Sequence, residues 1–290
     1  MIGRRVLAAV FTSLLLAGTI RDTTGKPAVS PPGVLAADLH VHPFPGDGVL
    51  TVGQLQREAT RRGLDVIAVA GHNNRVALAL AHAVRPASGS PIILQSQELT
   101  APDFHMIAVG VRAMIDWRLT VSEAVRAIHE QGGAAIAAHP VRFAWKPEDR
   151  ASLSVLDGVE VAHPMAQRAG SSRREIDAFF ARVQSVNPDV APIGSTDFHT
   201  SGPLGLCRTY LLTSDRSAEG AIEAIRQGRT VAQDQFGRLF GRPEAVAEVR
   251  RWLAASPAPA AVPLLDRLIA LAALAILGAA VSWRQTSSRR

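Results

Sequence analysis

The chain is organised around the stretch Asp38-Leu39-His40-Val41-His42-Pro43, which a glycine-rich turn, Gly46-Asp47-Gly48, follows. His40 and His42 are two residues apart, so both imidazoles leave the same face of a β-strand. Asp47 adds a carboxylate nearby. We interpret this stretch as half of a metal site at the end of a strand. The alternative is an exposed histidine pair beside a loop, because a lone His-x-His motif is weak evidence of metal binding.

Four more apolar, strand-like segments each stop at a histidine, an aspartate or a glutamate. Six of the nine histidines lie in these places or in the opening stretch. Packing alone does not explain why the metal-capable side chains gather where strands end. The residues are His72 after 64–70, Glu98 after 92–97 with His105 beyond it, His139 after 134–138, and Asp197 with His199 after 190–194.

The strand-like segments alternate with helical ones, several of which start at capping boxes such as those at Thr51, Thr120 and Ser172. This alternation predicts an α/β protein with a parallel sheet. Polar residues at several carboxyl ends favour a closed barrel with its site at that rim. An open doubly wound sheet is less favoured, because the sequence has no Gly-x-Gly-x-x-Gly turn.

In combination, these motifs resemble those of the PHP (polymerase and histidinol phosphatase) family over residues 36–232. The matching elements are Asp-x-His-x-His, Asp-Gly, a His-Asn turn, a Glu, a His, a His-Pro and a late Asp-x-His. Two positions depart from the pattern: Gly46, where many members have Ser or Thr, and Gly71, where many have Asp. The resemblance implies a distorted, TIM-like (β/α)7 barrel.

The resemblance also implies three divalent metal ions that share one carboxylate. Imidazole and carboxylate ligands suit Zn, Mn or Fe. The single cysteine, Cys207, excludes a zinc–thiolate cluster and an internal disulfide. By resemblance, the first ion takes His40, His42, Glu98 and Asp197, the second takes Asp47, His72 and His199, and the third takes Glu98, His105 and His139.

Such a site predicts a phosphoesterase in which a metal-bridging hydroxide attacks phosphorus. Asp197 is a candidate proton acceptor, and Arg142 and Arg208 are candidate phosphate-binding residues; for each arginine the alternative is a solvated surface charge. His163 could contact substrate or support a ligand. The histidines within helices, His82 and His129, are expected to face solvent. Two alternative functions are a hydrolase of another bond on the same scaffold and a non-catalytic, metal-stabilised binding domain.

The two ends of the chain predict attachment to a membrane. Arg4 and Arg5 precede a short apolar run, the layout of a signal peptide or anchor, with a buried helix as the alternative. The C-terminal apolar stretch is long enough for a transmembrane helix, with an amphipathic core helix as the alternative. The predicted segments are 1–20 (signal or anchor), 21–35 (linker), 36–250 (PHP-type domain), 256–263 (Pro/Ala spacer), 264–283 (transmembrane helix) and 284–290 (basic cytoplasmic tail).

The charge distribution indicates where the catalytic domain lies and what it binds. The formal net charge is +6, and five arginines of the two tails leave about +1 for the remainder. Basic tails favour the cytoplasmic side, so the domain is expected outside the cytoplasm, in the periplasm or at the cell surface. With no basic stripe in the body, the sequence does not indicate nucleic acid as a partner. The expected partners are a phosphorylated substrate of unknown size and the membrane.

Overall fold

Ten strands form one mixed sheet within the residues that the structure describes. This computed structural model describes residues 30–83, 90–141, 145–147, 149–164, 173–200 and 203–255. All of them belong to one compact unit, Ala28–Pro257. The expected signal segment, transmembrane helix and Arg142 lie outside the described residues. Among the helices that are described, none combines the length and the apolar character that crossing a membrane requires.

The strands are short, and four of the ten are buried along their whole length. Their bounds are β1 Val34–Val41, β2 Val66–His72, β3 Ile92–Thr100, β4 His105–Val109, β5 Ala134–Ala137, β6 Gly158–Ala162, β7 Ala191–Gly194, β8 Arg208–Leu212, β9 Thr230–Gln233 and β10 Leu239–Gly241.

The helices lie between strands, apart from the last, which follows β10. Their bounds are α1 Val52–Arg61, α2 Arg75–Ala83, α3 Val121–Glu130, α4 Arg150–Ser154, α5 Arg173–Val186, α6 Ala218–Arg226 and α7 Pro243–Ala255. Two of the expected capping boxes are confirmed: Thr51 exchanges hydrogen bonds with Gln54, and Thr120 with Glu123. These exchanges satisfy backbone N–H groups that the first turn of a helix leaves without partners. The third box, at Ser172, lies outside the described residues.

The expectation of an α/β, barrel-like fold is confirmed, but the sheet is neither seven-stranded nor wholly parallel. Its strand order is β10-β9-β8-β1-β2-β3-β4-β5-β6-β7. β1–β2–β3 and β5–β6–β7 are parallel, whereas β4 is antiparallel to both its neighbours. β8, β9 and β10 are also antiparallel to the strands beside them. β4 reverses because only residues 101–104 join it to β3, and a parallel crossover needs a dozen residues or more.

The reversal of β4 decides where His105 lies. Thr100, the last residue of β3, pairs with His105, the first residue of β4. The amino end of β4 therefore lies beside the carboxyl ends of the parallel strands. His105 reaches the same rim as the other candidate ligands, although it begins its strand.

The two ends of the sheet meet through side-chain hydrogen bonds at a seam. The Thr209 hydroxyl accepts from Gly194 N at 2.9 Å and donates to Gly194 O at 2.8 Å. The Thr230 hydroxyl donates to Pro192 O at 3.0 Å. A Cβ on Gly194 would lie 2.3 Å from Arg208 O, so the close approach of β7 to β8 requires glycine there. These contacts join β7 to β8 and β9 and nearly close the barrel.

Apolar side chains pack against both faces of the sheet. One cluster joins Leu35, Ile107, Ile136 and Ile193, from four strands, to Ile225 of α6. This cluster fills the interior of the barrel with apolar side chains. The buried polar side chains lie apart from it, at the strand ends.

One helix histidine is partly exposed and also has a partner. His129 is 31% exposed, its Nε2 lies 2.7 Å from Asp157 Oδ2, and the same oxygen accepts from Ala135 N at 2.7 Å. His129 therefore ties α3 to the start of β5 while part of its side chain stays exposed. His82 is exposed, as expected.

Replacing Thr209 by valine tests the seam, because valine keeps the shape and removes the hydroxyl. Leaving the Gly194 N–H without a partner in a buried place is expected to lower the free energy of unfolding by about 1–3 kcal/mol. Urea denaturation at fixed metal concentration measures this change. Thr60→Val, at an exposed position of α1, is the control and should change the free energy of unfolding by less than about 0.5 kcal/mol. Equal midpoints for both variants would contradict the proposed role of the seam.

Candidate metal centre

All nine expected metal ligands lie at one rim of the barrel. Five strand ends and two loops supply them, so the topology brings together residues that are distant in the sequence. His40 and His42 come from the end of β1, Asp47 from the turn after it, His72 from β2, Glu98 from β3, His105 from β4, His139 from the end of β5, and Asp197 and His199 from the loop after β7.

Four of these residues, the first donor set, surround one point: His40, His42, Glu98 and Asp197. His40 Nε2 lies 3.0 Å from His42 Nε2. Glu98 Oε2 lies 3.4 and 3.3 Å from these two nitrogens, and Asp197 Oδ1 lies 3.3 and 3.1 Å from them. Four ligands held tetrahedrally at about 2.0–2.2 Å from a zinc ion lie about 3.3 Å apart. The spacing of the first donor set therefore fits one cation.

Glu98 also belongs to a third donor set, with His105 and His139. Its Oε1 lies 2.9 Å from His105 Nδ1 and 3.2 Å from His139 Nε2. Its Oε2 faces His40 Nε2 and His42 Nε2 of the first donor set, and it also lies 2.8 Å from His72 Nδ1. A carboxylate that divides its oxygens between two groups of imidazoles has the geometry of a bridging ligand.

The second donor set, Asp47, His72 and His199, is the most exposed of the three. Asp47 Oδ2 lies 3.2 Å from His72 Nε2 and 3.0 Å from His199 Nε2. These side chains are 45%, 37% and 29% exposed, whereas those of the first donor set are at most 7% exposed. His42 Nδ1 also lies 3.1 Å from Asp47 Oδ1, which links the two sets. The rim therefore opens to solvent on the side of the second donor set.

Three residues beside or within the donor sets have left-handed backbone conformations that L-residues seldom adopt. They are Asn73 (φ 44°), His139 (φ 28°) and Asp197 (φ 52°). Strain of this kind concentrates at functional sites and persists only where the surroundings enforce it. Here Asn73 Nδ2 donates to Thr100 O at 3.0 Å, and His139 N donates to Glu160 Oε2 at 2.6 Å.

Asp38, the first residue of the opening motif, shapes the loop that carries Asp197. Its carboxylate is fully buried and accepts from Thr196 N at 3.0 Å and from Gly205 N at 2.9 Å. These bonds attach the loop after β7 to β1. Asp38 is therefore a structural residue of the site, and this role explains why an aspartate stands at the start of the motif.

The charges of the site perturb one another strongly. Burial alone would lower the pKa of His42, but hydrogen bonds to three carboxylates, led by Asp197, raise it to about 10. Burial would also lower the pKa of His40, yet the charges of Asp197 and Glu160 raise it well above its usual value. Conversely, burial would raise the pKa of Asp197, and the charge of His40 holds it far below its usual range. The carboxylates therefore stay ionised and demand positive charge nearby.

Two buried residues of the site were not among the expected ligands. Glu160, in β6, lies 2.9 Å from His40 Nδ1, and His163 Nε2 lies 3.3 Å from Asp197 Oδ2. The sequence holds one signal for Glu160, a lone carboxylate between Val159 and Val161 in an otherwise apolar strand. For His163, the signal is its position directly after the apolar strand segment that ends at Ala162.

In its described contacts, the guanidinium of Arg208 faces backbone carbonyl groups and not the donor sets. Nε donates to Gly205 O at 3.0 Å and Nη1 to Arg62 O at 3.4 Å. These bonds make Arg208 a structural residue. Its expected binding of phosphate stays a prediction, and the proposed function does not depend on it. Arg142 lies outside the described residues, so its expected role also stays a prediction.

Comparisons with known proteins support the fold. No family model matches the chain. An uncharacterized protein of Methanocaldococcus jannaschii is 29% identical over 140 residues, which cover 44% of this chain and 81% of that protein. A two-domain protein of Bacteroides vulgatus, described as containing a "predicted PHP-like metal-dependent phosphoesterase", has a similar structure. Its TM-score is 0.59 at 19% identity, over 80% of this chain and 74% of that chain.

The expectation of a PHP-like fold is confirmed. A second solved structure, PsfC of Pseudomonas syringae, aligns with a TM-score of 0.51 at 14% identity, over 77% of this chain and 99% of that chain. At these identities the structural likeness establishes the fold. The chemistry of the site in this chain is therefore argued from its own donor atoms.

Those donor atoms fit divalent cations. All three donor sets combine imidazole nitrogens with carboxylate oxygens, a mixture that suits Zn, Mn or Fe. The spacing of the first set and the divided oxygens of Glu98 agree with this chemistry. A fourth group, His40, Glu160 and His163, also lies close together.

Metal binding at pH 7 is expected to release protons. In protein stripped by a chelator, a pKa of about 10 leaves His42 protonated at pH 7, and a ligating imidazole must lose that proton. Metal affinity should therefore fall as the pH is lowered. Calorimetric titration with Mn²⁺ in two buffers of different ionisation enthalpy measures the protons released, and His82→Ala, remote from the rim, should behave as the unaltered chain does. Identical heats in both buffers would contradict the expectation.

Proposed function

We propose that this chain is a PHP-family phosphoesterase that hydrolyses a phosphate ester with the help of three divalent metal ions, Zn, Mn or Fe. The observation that carries the proposal is the convergence of nine imidazole and carboxylate side chains into three donor sets, two of which share Glu98. The PHP-like fold supports it, because a related architecture occurs in a protein described as containing a "predicted PHP-like metal-dependent phosphoesterase".

The arrangement suits hydrolysis without a nucleophilic side chain. Divalent ions, when bound, lower the pKa of a coordinated water and neutralise charge that develops on phosphoryl oxygens. The buried first donor set excludes water from one side of the site. The exposed second donor set leaves room for a phosphate to approach from solvent. Asp197 contributes Oδ1 to the first donor set, and its expected role as proton acceptor stays a prediction.

Assays of the full chain loaded separately with Mn²⁺, Zn²⁺ or Fe²⁺ on a panel of phosphomonoesters and phosphodiesters test the proposal. We expect turnover of one ester class, and a loss of at least about 100-fold in kcat/KM for Asp197→Asn, since even outer-shell changes cost 10–100-fold. Asp116→Asn, on an exposed loop, is the matched control and should keep full activity.

Two other outcomes of this assay would overturn the proposal. Cleavage of carboxylic esters or amides alone would indicate a hydrolase of another bond on the same scaffold. Tight metal binding with no turnover of any substrate would favour a non-catalytic binding domain.

We also propose that the enzyme is tethered to the membrane by residues 264–283, with its catalytic domain outside the cytoplasm. The support is the uncharged apolar run within this segment and the basic residues that follow it.

Fractionation of expressing cells tests the tether. The full chain is expected to stay in the membrane pellet after extraction with alkaline carbonate, because a transmembrane helix resists removal by high pH. A chain that ends at Ala255 should be released, or should stay behind only if residues 1–20 act as a second anchor. Release of the full chain into the supernatant would contradict the proposal, and protection from external protease in spheroplasts would contradict the expected side.

A further inference from the structure

Glu160 is a buried carboxylate whose two oxygens contact three separate segments of the rim. The residue is only 2% exposed. Its Oε1 lies 2.9 Å from His40 Nδ1 and also accepts from the hydroxyl of Ser195. Its Oε2 accepts from His139 N at 2.6 Å. Glu160 thus connects the ends of β1, β5 and β7 from below the donor sets.

The contact with His40 fixes which of its ring nitrogens carries hydrogen. In a neutral imidazole one nitrogen donates and the other accepts, and an ionised carboxylate only accepts. In the neutral imidazole that can bind a cation, His40 Nδ1 faces Glu160 and is therefore the donor. His40 Nε2, which faces His42 Nε2 and Asp197 Oδ1, then presents its lone pair to the centre of the first donor set.

The hydrogen bond from His139 N to Glu160 supports a second segment of the rim, at the end of β5. His139 has a left-handed backbone, with φ 28°, and its N–H is the group that Glu160 Oε2 holds. His139 Nε2 belongs to the third donor set. The same carboxylate therefore orients residues of two donor sets without lying in either.

His40, Glu160 and His163 lie close enough to be considered as a fourth ion site. The hydrogen bonds argue against that reading. Both oxygens of Glu160 already accept from N–H or O–H groups of the protein, and His40 directs its accepting nitrogen elsewhere. His163 Nε2 instead lies 3.3 Å from Asp197 Oδ2, as a support for that carboxylate.

We propose that Glu160 is a positioning residue: it holds His40 in the tautomer with hydrogen on Nδ1 and thereby prepares the first donor set for its cation. This inference rests on the proposed metal-dependent function, because orienting His40 matters only if the first donor set binds a cation. Its tests need no substrate, so they can fail or succeed independently of phosphoesterase activity.

The variant Glu160→Gln tests the proposal with little change of shape. Its amide can accept at one end only, so His40 Nδ1 and His139 N can no longer both donate to it. We expect the Mn²⁺ and Zn²⁺ affinity of the tightest site to fall 10–100-fold, measured by competition with a chelating dye. Glu130→Gln, exposed on α3, is the control and should keep the affinity within about twofold.

A second measurement distinguishes positioning from mere structural support. Nitrogen-15 NMR of histidine side chains in the zinc-loaded, unaltered chain should show His40, assigned by the loss of its signals in His40→Gln, with hydrogen on Nδ1. Glu160→Gln should shift or broaden these signals while the circular dichroism spectrum stays the same.

Three results would overturn the inference. One is hydrogen on Nε2 and not on Nδ1 of His40 in the zinc-loaded, unaltered chain. Another is unchanged metal affinity in Glu160→Gln. The third is a fourth bound ion in the unaltered chain that Glu160→Gln loses, since this would make Glu160 a ligand.

Discussion

A fully buried carboxylate, Glu98, lies within reach of imidazole nitrogens from His40, His42, His72, His105 and His139. Burying a charge is costly unless other charges and hydrogen bonds compensate for it. Burial alone would raise the pKa of Glu98, but the charge of His40 and the hydrogen bonds around it hold this pKa well below its usual range. The rim is therefore built to keep Glu98 ionised, and its neighbours supply either protons or ligand nitrogens for cations.

The rest of the architecture serves this rim. The seam at Thr209 and Gly194 brings β7 back to β8, and the loop after β7 carries Asp197 to the donor sets. Asp38 then attaches that loop to β1. Exposure is graded across the rim, from the buried first donor set to the open second set at Asp47. That gradient gives the site a protected interior and one accessible face.

Much of this arrangement could be predicted from the sequence, because the motif residues stand where apolar segments end. The grouping of ligands came from the family resemblance, and the geometry brings together the same groups. The antiparallel β4 was missed, although residues 101–104 are too few for a crossover. Glu160 was missed because its signal, a single carboxylate within an apolar strand, is weak and belongs to no motif. The seam could not be predicted, since it depends on Thr209 meeting Gly194 only after the sheet curls.

The central claim is that these side chains hold a group of cations above the barrel. Diffraction data collected on either side of the manganese absorption edge, from crystals of the full chain grown with Mn²⁺, test it most directly. The account predicts anomalous peaks at the three donor sets, with one on each side of Glu98. Well-ordered Glu98, His40 and Asp197 side chains with no peak among them would contradict it.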